Sequence, residues 1–125
     1  MKNLSILLFL LISQLCFGQQ KTQALFNFGT LTTASKASVA QLLDYPKLLC
    51  NDKSNKINSY TFEINTDAQS PQRFTISGAV LSQEAKNALK HLNAGSVQIS
   101  IYNIVYTHQN NTINAQERIE LSIAP

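Results

Sequence analysis

Between residues 57 and 123 the apolar positions follow two different periods. Over 57–65, Tyr60, Phe62 and Ile64 share one parity and Thr61 and Glu63 the other. Such alternation predicts a half-buried strand. Residues 66–71 are a polar connection, and 73–77 alternate again with Phe74 and Ile76 inward, up to Gly78. The period then changes. Ala85, Ala88, Leu89 and Leu92 fall at helical spacing, so a helix is predicted over 82–92 with one apolar stripe. Ser82 suits its N-cap and Glu84 its first turn, where a negative charge complements the helix dipole. Lys86 and Lys90 point to water, and Gly95 fits a left-handed C-terminal cap. Residues 96–106 form a long β-branched and aromatic run. Val97, Ile99 and Ile101 share one parity, while Tyr102, Ile104 and Tyr106 share the other. A parity switch near Ile101 predicts a bulge, or a strand covered on both faces. A hairpin turn follows over 108–112. A last strand over 116–124 turns Ile119, Leu121 and Ile123 inward and Arg118, Glu120 and Ser122 outward.

Upstream, residues 24–35 are rich in Phe and Thr and read as a first strand interrupted near Gly29. Ser35 and Ser38 are both candidate N-caps for a short helix through Val39, Leu42 and Leu43. That helix should stop by Tyr45, because Pro46 disfavours the α conformation at the residue before it. Leu48, Leu49 and Cys50 form a short apolar run, and 51–55 has the composition of a turn. The expected fold is α+β and mainly β: a small antiparallel β-sandwich-like domain with one or two short helices.

The first residues read as an address. Lys2 precedes an almost wholly apolar stretch over 4–15, broken only by Ser5, Ser13 and Gln14. A charged start followed by about a dozen apolar residues is the layout of a secretory signal peptide. A membrane span needs roughly 20 apolar residues, and polar Gln19, Gln20 and Lys21 follow at once. Cleavage before Gln19 would place small residues, Cys16 and Gly18, at the −3 and −1 sites. The expected division is therefore a signal peptide over 1–18 and one domain over 19–125, with no transmembrane span in the mature chain. A rival reading makes Cys16 a lipidated N-terminus, although Leu15 stands where lipoprotein signals want a small residue. The protein is thus expected to be exported, with the periplasm as its destination. The alternatives are an extracellular location or a lipid anchor through Cys16.

Export changes the reading of the cysteines. Removing 18 of 125 residues leaves about 107, with Cys50 as the one remaining thiol. An intrachain disulfide is then impossible, so the domain must be held by its core. Cys50 reads as a small buried hydrophobe, with an intermolecular disulfide as the sharper alternative. Charge adds little. Ten Lys and Arg against seven Asp and Glu give +3, and the basic residues form no run and no aromatic-interleaved patch. That argues against a nucleic-acid partner.

No catalytic constellation is legible. His91 and His108 fall in different elements, and no third ligand lies near either in sequence, whereas a metal site needs at least three converging groups. Glu117 and Glu120 are three apart on a predicted strand and so face opposite ways, which does not make an acid–base pair. There is no phosphate-binding glycine loop and no nucleophile elbow. No enzymatic activity, cofactor or metal is expected. Asn110, Asn111 and Thr112 match the glycosylation acceptor pattern, which is common by chance. The tyrosines are more suggestive. Tyr45, Tyr60, Tyr102 and Tyr106 would pack at the core or rim, and any sharing an exposed face could anchor a protein partner. The last strand, if it lies at a sheet edge, could accept a strand from a partner. The candidate partner-binding residues are accordingly Tyr102, Tyr106, Ile119 and Leu121.

The order of these segments resembles a known family. It consists of SVAQLL at 38–43 leading into Leu48 and Leu49, INSYTFEI at 57–64, Ser77 and Gly78, then LKHLNAG at 89–95, VQISIYNI at 97–104 and RIELSI at 118–123. The set, covering about residues 34–123, is similar to the C-terminal domain of the gliding-motility protein GldM of the Bacteroidetes type IX secretion apparatus. The signal ending FGQQ at 17–20 also looks typical of that phylum. The resemblance implies a periplasmic, mostly β module that binds a cell-envelope protein and catalyses nothing. From a different class, the runner-up is a soluble carrier or sensor holding a small apolar ligand between helix and sheet.

Overall fold

The computed structural model describes residues 25–67, 70–92 and 96–123. The expectations for the signal peptide, for Cys16 and for the Gly95 cap lie outside the described residues. In chain order the elements are β1 (Phe26–Phe28), β2 (Ser35–Ala37), α1 (Val39–Asp44), β3 (Leu48–Cys50), β4 (Lys56–Thr66), β5 (Gln72–Ser77), α2 (Gln83–Lys90), β6 (Val97–His108), β7 (Asn111–Asn114) and β8 (Ile119–Ile123). The architecture is mainly β with two short helices.

Two sheets form. The larger runs β2-β8-β6-β4-β5, with β7 pairing to the far end of β6. The smaller pairs β1 with β3. All strand pairs are antiparallel except β2 with β8, which run parallel. The expected mainly β, antiparallel sandwich-like fold is what forms, with this one parallel pair within it: β2 and β8 stand near opposite ends of the described chain. The intervening domain supplies the long crossover that a parallel pair requires.

The alternation read from the sequence becomes rows of side chains across the large sheet. Phe74, Phe62, Ile101 and Ile119 stand in register on its inner face, with Ile64, Ile99 and Leu121 in the next row. The β1/β3 ribbon and both helices cover this face. Phe28 tilts against Phe62 at 5.7 Å between ring centroids, and Phe26 meets Tyr106 edge-on at 5.5 Å. Leu42 of α1 and Ala85 and Leu89 of α2 join the same core, each buried leucine contributing about 1.5–3 kcal/mol. The Tyr60 hydroxyl donates to the Ala79 carbonyl at 2.8 Å, which satisfies the one polar atom of a ring buried among apolar neighbours.

Local chemistry explains the boundaries. Gly29 has φ +60°, and a Cβ there would lie 2.7 Å from the Tyr45 carbonyl oxygen. Phe28 and Leu31 exchange both backbone bonds around it, so the predicted first strand is interrupted at Gly29, leaving β1 before it, and β2 begins only at Ser35, the last residue of the predicted run. Ser38, not Ser35, caps α1 through a full capping box with Gln41; Ser35 belongs to β2. As predicted, α1 ends at Tyr45 and Ser82 caps α2. The parity switch in β6 is a bulge. Ser59 pairs with Val105 but Thr61 with Tyr102, and Asn103 takes φ 52°, a left-handed conformation that Asn tolerates better than most residues. The hairpin after β6 is tighter than expected. Gln109 and Asn110 both have positive φ, as a two-residue type I′ turn requires. The chain then adds β7 before β8 begins at Ile119.

Candidate functional site: the open face of the large sheet

Opposite the core, the large sheet presents a polar face, and strand register sets its order. Arg73, Glu63, Ser100 and Glu120 stand side by side across β5, β4, β6 and β8, and Thr75, Thr61 and Tyr102 form the neighbouring row. These side chains form a connected network. One oxygen of Glu63 accepts from Arg73 Nε at 2.6 Å and from the Tyr102 hydroxyl at 3.0 Å; the other accepts from Asn65 Nδ2 at 2.9 Å. Glu120 accepts from the Ser100 hydroxyl at 2.6 Å and from Arg118 Nε at 3.1 Å. The Arg118 guanidinium lies 4.5 Å from the Tyr102 ring centroid, which joins the two halves through a cation–π contact.

Glu63 was expected to face outward. It does lie on the outer face, yet its neighbours leave it only 8% exposed. The Asn65 amide and the Arg73 guanidinium hold its carboxyl below the usual carboxylate range, with the Tyr102 hydroxyl helping and burial opposing. Its charge in turn raises the Arg73 pKa. Removing water from a carboxylate is tolerable here because three donors replace it.

Beside this network an open groove of about 540 Å³ runs between β6 and the loop into β8. Tyr102, Asn103, Val105, Asn114, Glu117 and Arg118 are among its lining residues. The bulge makes it, because the extra residue turns both Tyr102 and Asn103 toward this side. The lining is mainly polar and open to water.

The four sequence-predicted residues do not converge. Tyr102 is on the outer face, half-buried, at the centre of the network. Tyr106 is 9% exposed and packs into the core against Phe26. Ile119 and Leu121 are buried on β8. That strand is not an edge: it lies between β2 and β6. The strand-addition route through β8 is thereby corrected, as is the surface role of Tyr106, Ile119 and Leu121. Sequence parity places a residue on one face or the other, but only strand order reveals which face is covered and which strand is outermost. Sequence reasoning missed the Glu63–Arg73 pair and the β5 edge. Both residues were visible as outward positions, but their partnership depends on the β4–β5 register.

The remaining candidates are accounted for locally. Tyr45 is 47% exposed and Tyr60 is core. His91 Nδ1 donates to the Asn87 carbonyl at 2.7 Å, and His108 Nδ1 bonds the Asn55 side-chain oxygen. The Asn55 amide donates to Cys50 Sγ at 3.4 Å; Cys50 itself is half-buried. Glu117 lies in the loop before β8 and Glu120 on β8, so they are not a pair on one strand. Among the described residues, no three His, Cys, Asp or Glu side chains converge as metal ligands, and no helix is long and apolar enough to cross a membrane.

No family model, curated protein or solved structure matches the chain.

Proposed function

We propose that the chain is an exported, non-catalytic protein-binding module of the bacterial cell envelope, similar to the C-terminal domain of GldM and acting as an accessory or adaptor related to gliding motility and type IX secretion. The observation that carries the protein-binding part is the outer sheet face. Its charged side chains are already fixed by hydrogen bonds from Arg73 through Glu63 to Tyr102 and from Arg118 to Glu120, with a cation–π contact joining Tyr102 to Arg118. A partner meeting such a face loses little further side-chain entropy on docking. Envelope location rests on the signal-like start, and kinship with GldM on the order of the sequence segments.

The test is crosslinking in the native envelope with a C-terminally tagged protein, comparing the natural chain with Arg118→Glu. Arg118 is 52% exposed at its side chain, and an exposed pair of this kind is worth about 0–1 kcal/mol, so the variant should fold. Recovery of secretion or motility components by the natural chain, reduced roughly tenfold by the variant (about 1.4 kcal/mol), is the expected result. Equal recovery by both would remove the outer face from the interaction. Recovery of no envelope protein by the natural chain would sink the adaptor reading.

A further inference from the structure

The large sheet has three open edges among the described residues, and they differ. β2 is three residues long and carries Lys36. β7 is four residues, NTIN, and mostly exposed. Short, charged or polar edges resist pairing with another chain. β5 is six residues long, QRFTIS, and keeps apolar Phe74 and Ile76 on the core side. It pairs with β4 alone.

The backbone groups that β5 leaves free can be identified. The Gly78 N–H donates to the Asn58 carbonyl at 2.7 Å, one step beyond the Ser59–Ser77 pair. Residues 58 and 78 are therefore a hydrogen-bonded pair. Antiparallel ladders alternate, so 60/76, 62/74 and 64/72 are of the same type. The N–H and C=O groups of Arg73, Thr75 and Ser77 must then point away from β4, to the open edge.

These constraints select an occupant. An antiparallel strand added by two-fold symmetry must match groups on odd-numbered residues with groups on odd-numbered residues. Pairing about Arg73 would set two like charges opposite each other, which is unfavourable. Pairing about Ser77 or Ile76 would run past the Gly78 turn, and pairing about Phe74 would set apolar Ile76 against polar Gln72. Pairing about Thr75 sets Thr75 against Thr75, Arg73 against Ser77 and half-buried Phe74 against Ile76. No like charges meet, and the apolar row of the inner face continues from one molecule to the next. The edge is self-complementary in this register, as an isologous contact requires.

We propose that β5 pairs antiparallel with β5 of a second copy of this chain, about a two-fold axis through Thr75, so that two sheets become one. This dimer is independent of the envelope-partner reading, which rests on the outer face. The contact is small, at the weak end of specific interfaces, so its population should rise with concentration.

Light scattering on the full mature chain, over a roughly hundredfold concentration series, should show the mass rising from one copy toward two. Thr75→Pro removes only an N–H that faces the open edge, a position where proline is tolerated. It should stay monomeric throughout and, at the lowest protein concentration, unfold at the natural chain's midpoint. Thr75→Cys should be trapped as a dimer by a short bifunctional thiol crosslinker, because hydrogen-bonded antiparallel partners stand about 5.5 Å apart at Cα and about as far at Cβ, within such a linker's reach though wide for a direct disulfide. Lys36→Cys on the β2 edge, and the natural chain with Cys50 alone, should not. The trap decides the question even if the proline variant fails to fold. A monomeric mass at every concentration, or trapping at residue 75 no better than at 36, overturns the proposal. A monomeric natural chain whose envelope crosslinks are lost in Thr75→Pro also overturns it, and would assign the edge to a partner's strand instead.

Discussion

Glu63 shows how far one residue's role depends on neighbours distant in sequence. A glutamate at an outward strand position is ordinarily solvated and of little consequence. Here Asn65, Arg73 and Tyr102 replace its water, and its folded pKa falls below the usual value near 4.5. A carboxyl depressed in the folded state stabilises the protein above the unfolded value, and that contribution is lost as pH falls through the folded value. Glu63→Gln keeps the shape and removes the charge. It should cost about 1 kcal/mol at pH 7, and the difference from the natural chain should shrink to nothing in acid. Urea unfolding across pH 2–7 measures this. Asp52, held low by the Ser54 hydroxyl and N–H, adds an acid response of the same sign that the variant leaves in place. A constant difference at all pH values would mean that the charge is irrelevant and only the packing of the side chain matters.

At the scale of elements, β2 is the least expected. It is three residues long, and it is held by parallel pairing with β8 and by what precedes it. Ala34 enters the strand at φ 66°, where an L-residue other than Asn or Asp is strained, and its N–H donates to the Glu120 carbonyl at 2.7 Å. The Thr33 hydroxyl accepts from the Glu120 N–H at 3.1 Å. The strain is tolerated because it completes the pairing of β8 on its far side. Ala34→Gly relieves the steric part and adds some unfolded-state freedom, for a net gain of about 0.5–1 kcal/mol. A higher denaturant midpoint at unchanged slope is the expected outcome; a lower midpoint would show that the left-handed backbone is not strained in solution. Nothing in the pattern around Ala34 betrays this conformation, since its cause is the position of β8.

The whole molecule is held where its two sheets meet. Phe62 lies at the middle of the large sheet, fully buried, and tilts against Phe28 of the small one. Phe62→Ala should cost about 3–5 kcal/mol, in line with other large core truncations, and Phe28→Ala a similar amount. Because the two rings share one contact, the double variant should lose less than the sum, by about 0.5–1.5 kcal/mol. Thermal unfolding of the natural chain, both single variants and the double variant measures that coupling. Strict additivity would mean that the β1/β3 ribbon packs on the sheet without depending on this pair.

Periodicity in the sequence was enough to place β4, β5, α2 and β6 and the cap at Ser82, and it narrowed the α1 cap to Ser35 or Ser38 and the switch near Ile101 to a bulge or a doubly covered strand. Each depends on contacts within a few residues, so alternation, helical spacing and cap chemistry report them directly. Only the tertiary structure decided that β8 is interior, that Tyr106, Ile119 and Leu121 are core, that β5 is the exposed edge and that Glu63 has Arg73 for a partner. Those features depend on strand order and register between segments 10 to 85 or so residues apart. Local sequence constrains such pairings only weakly, because any strand with one apolar face can in principle lie beside any other.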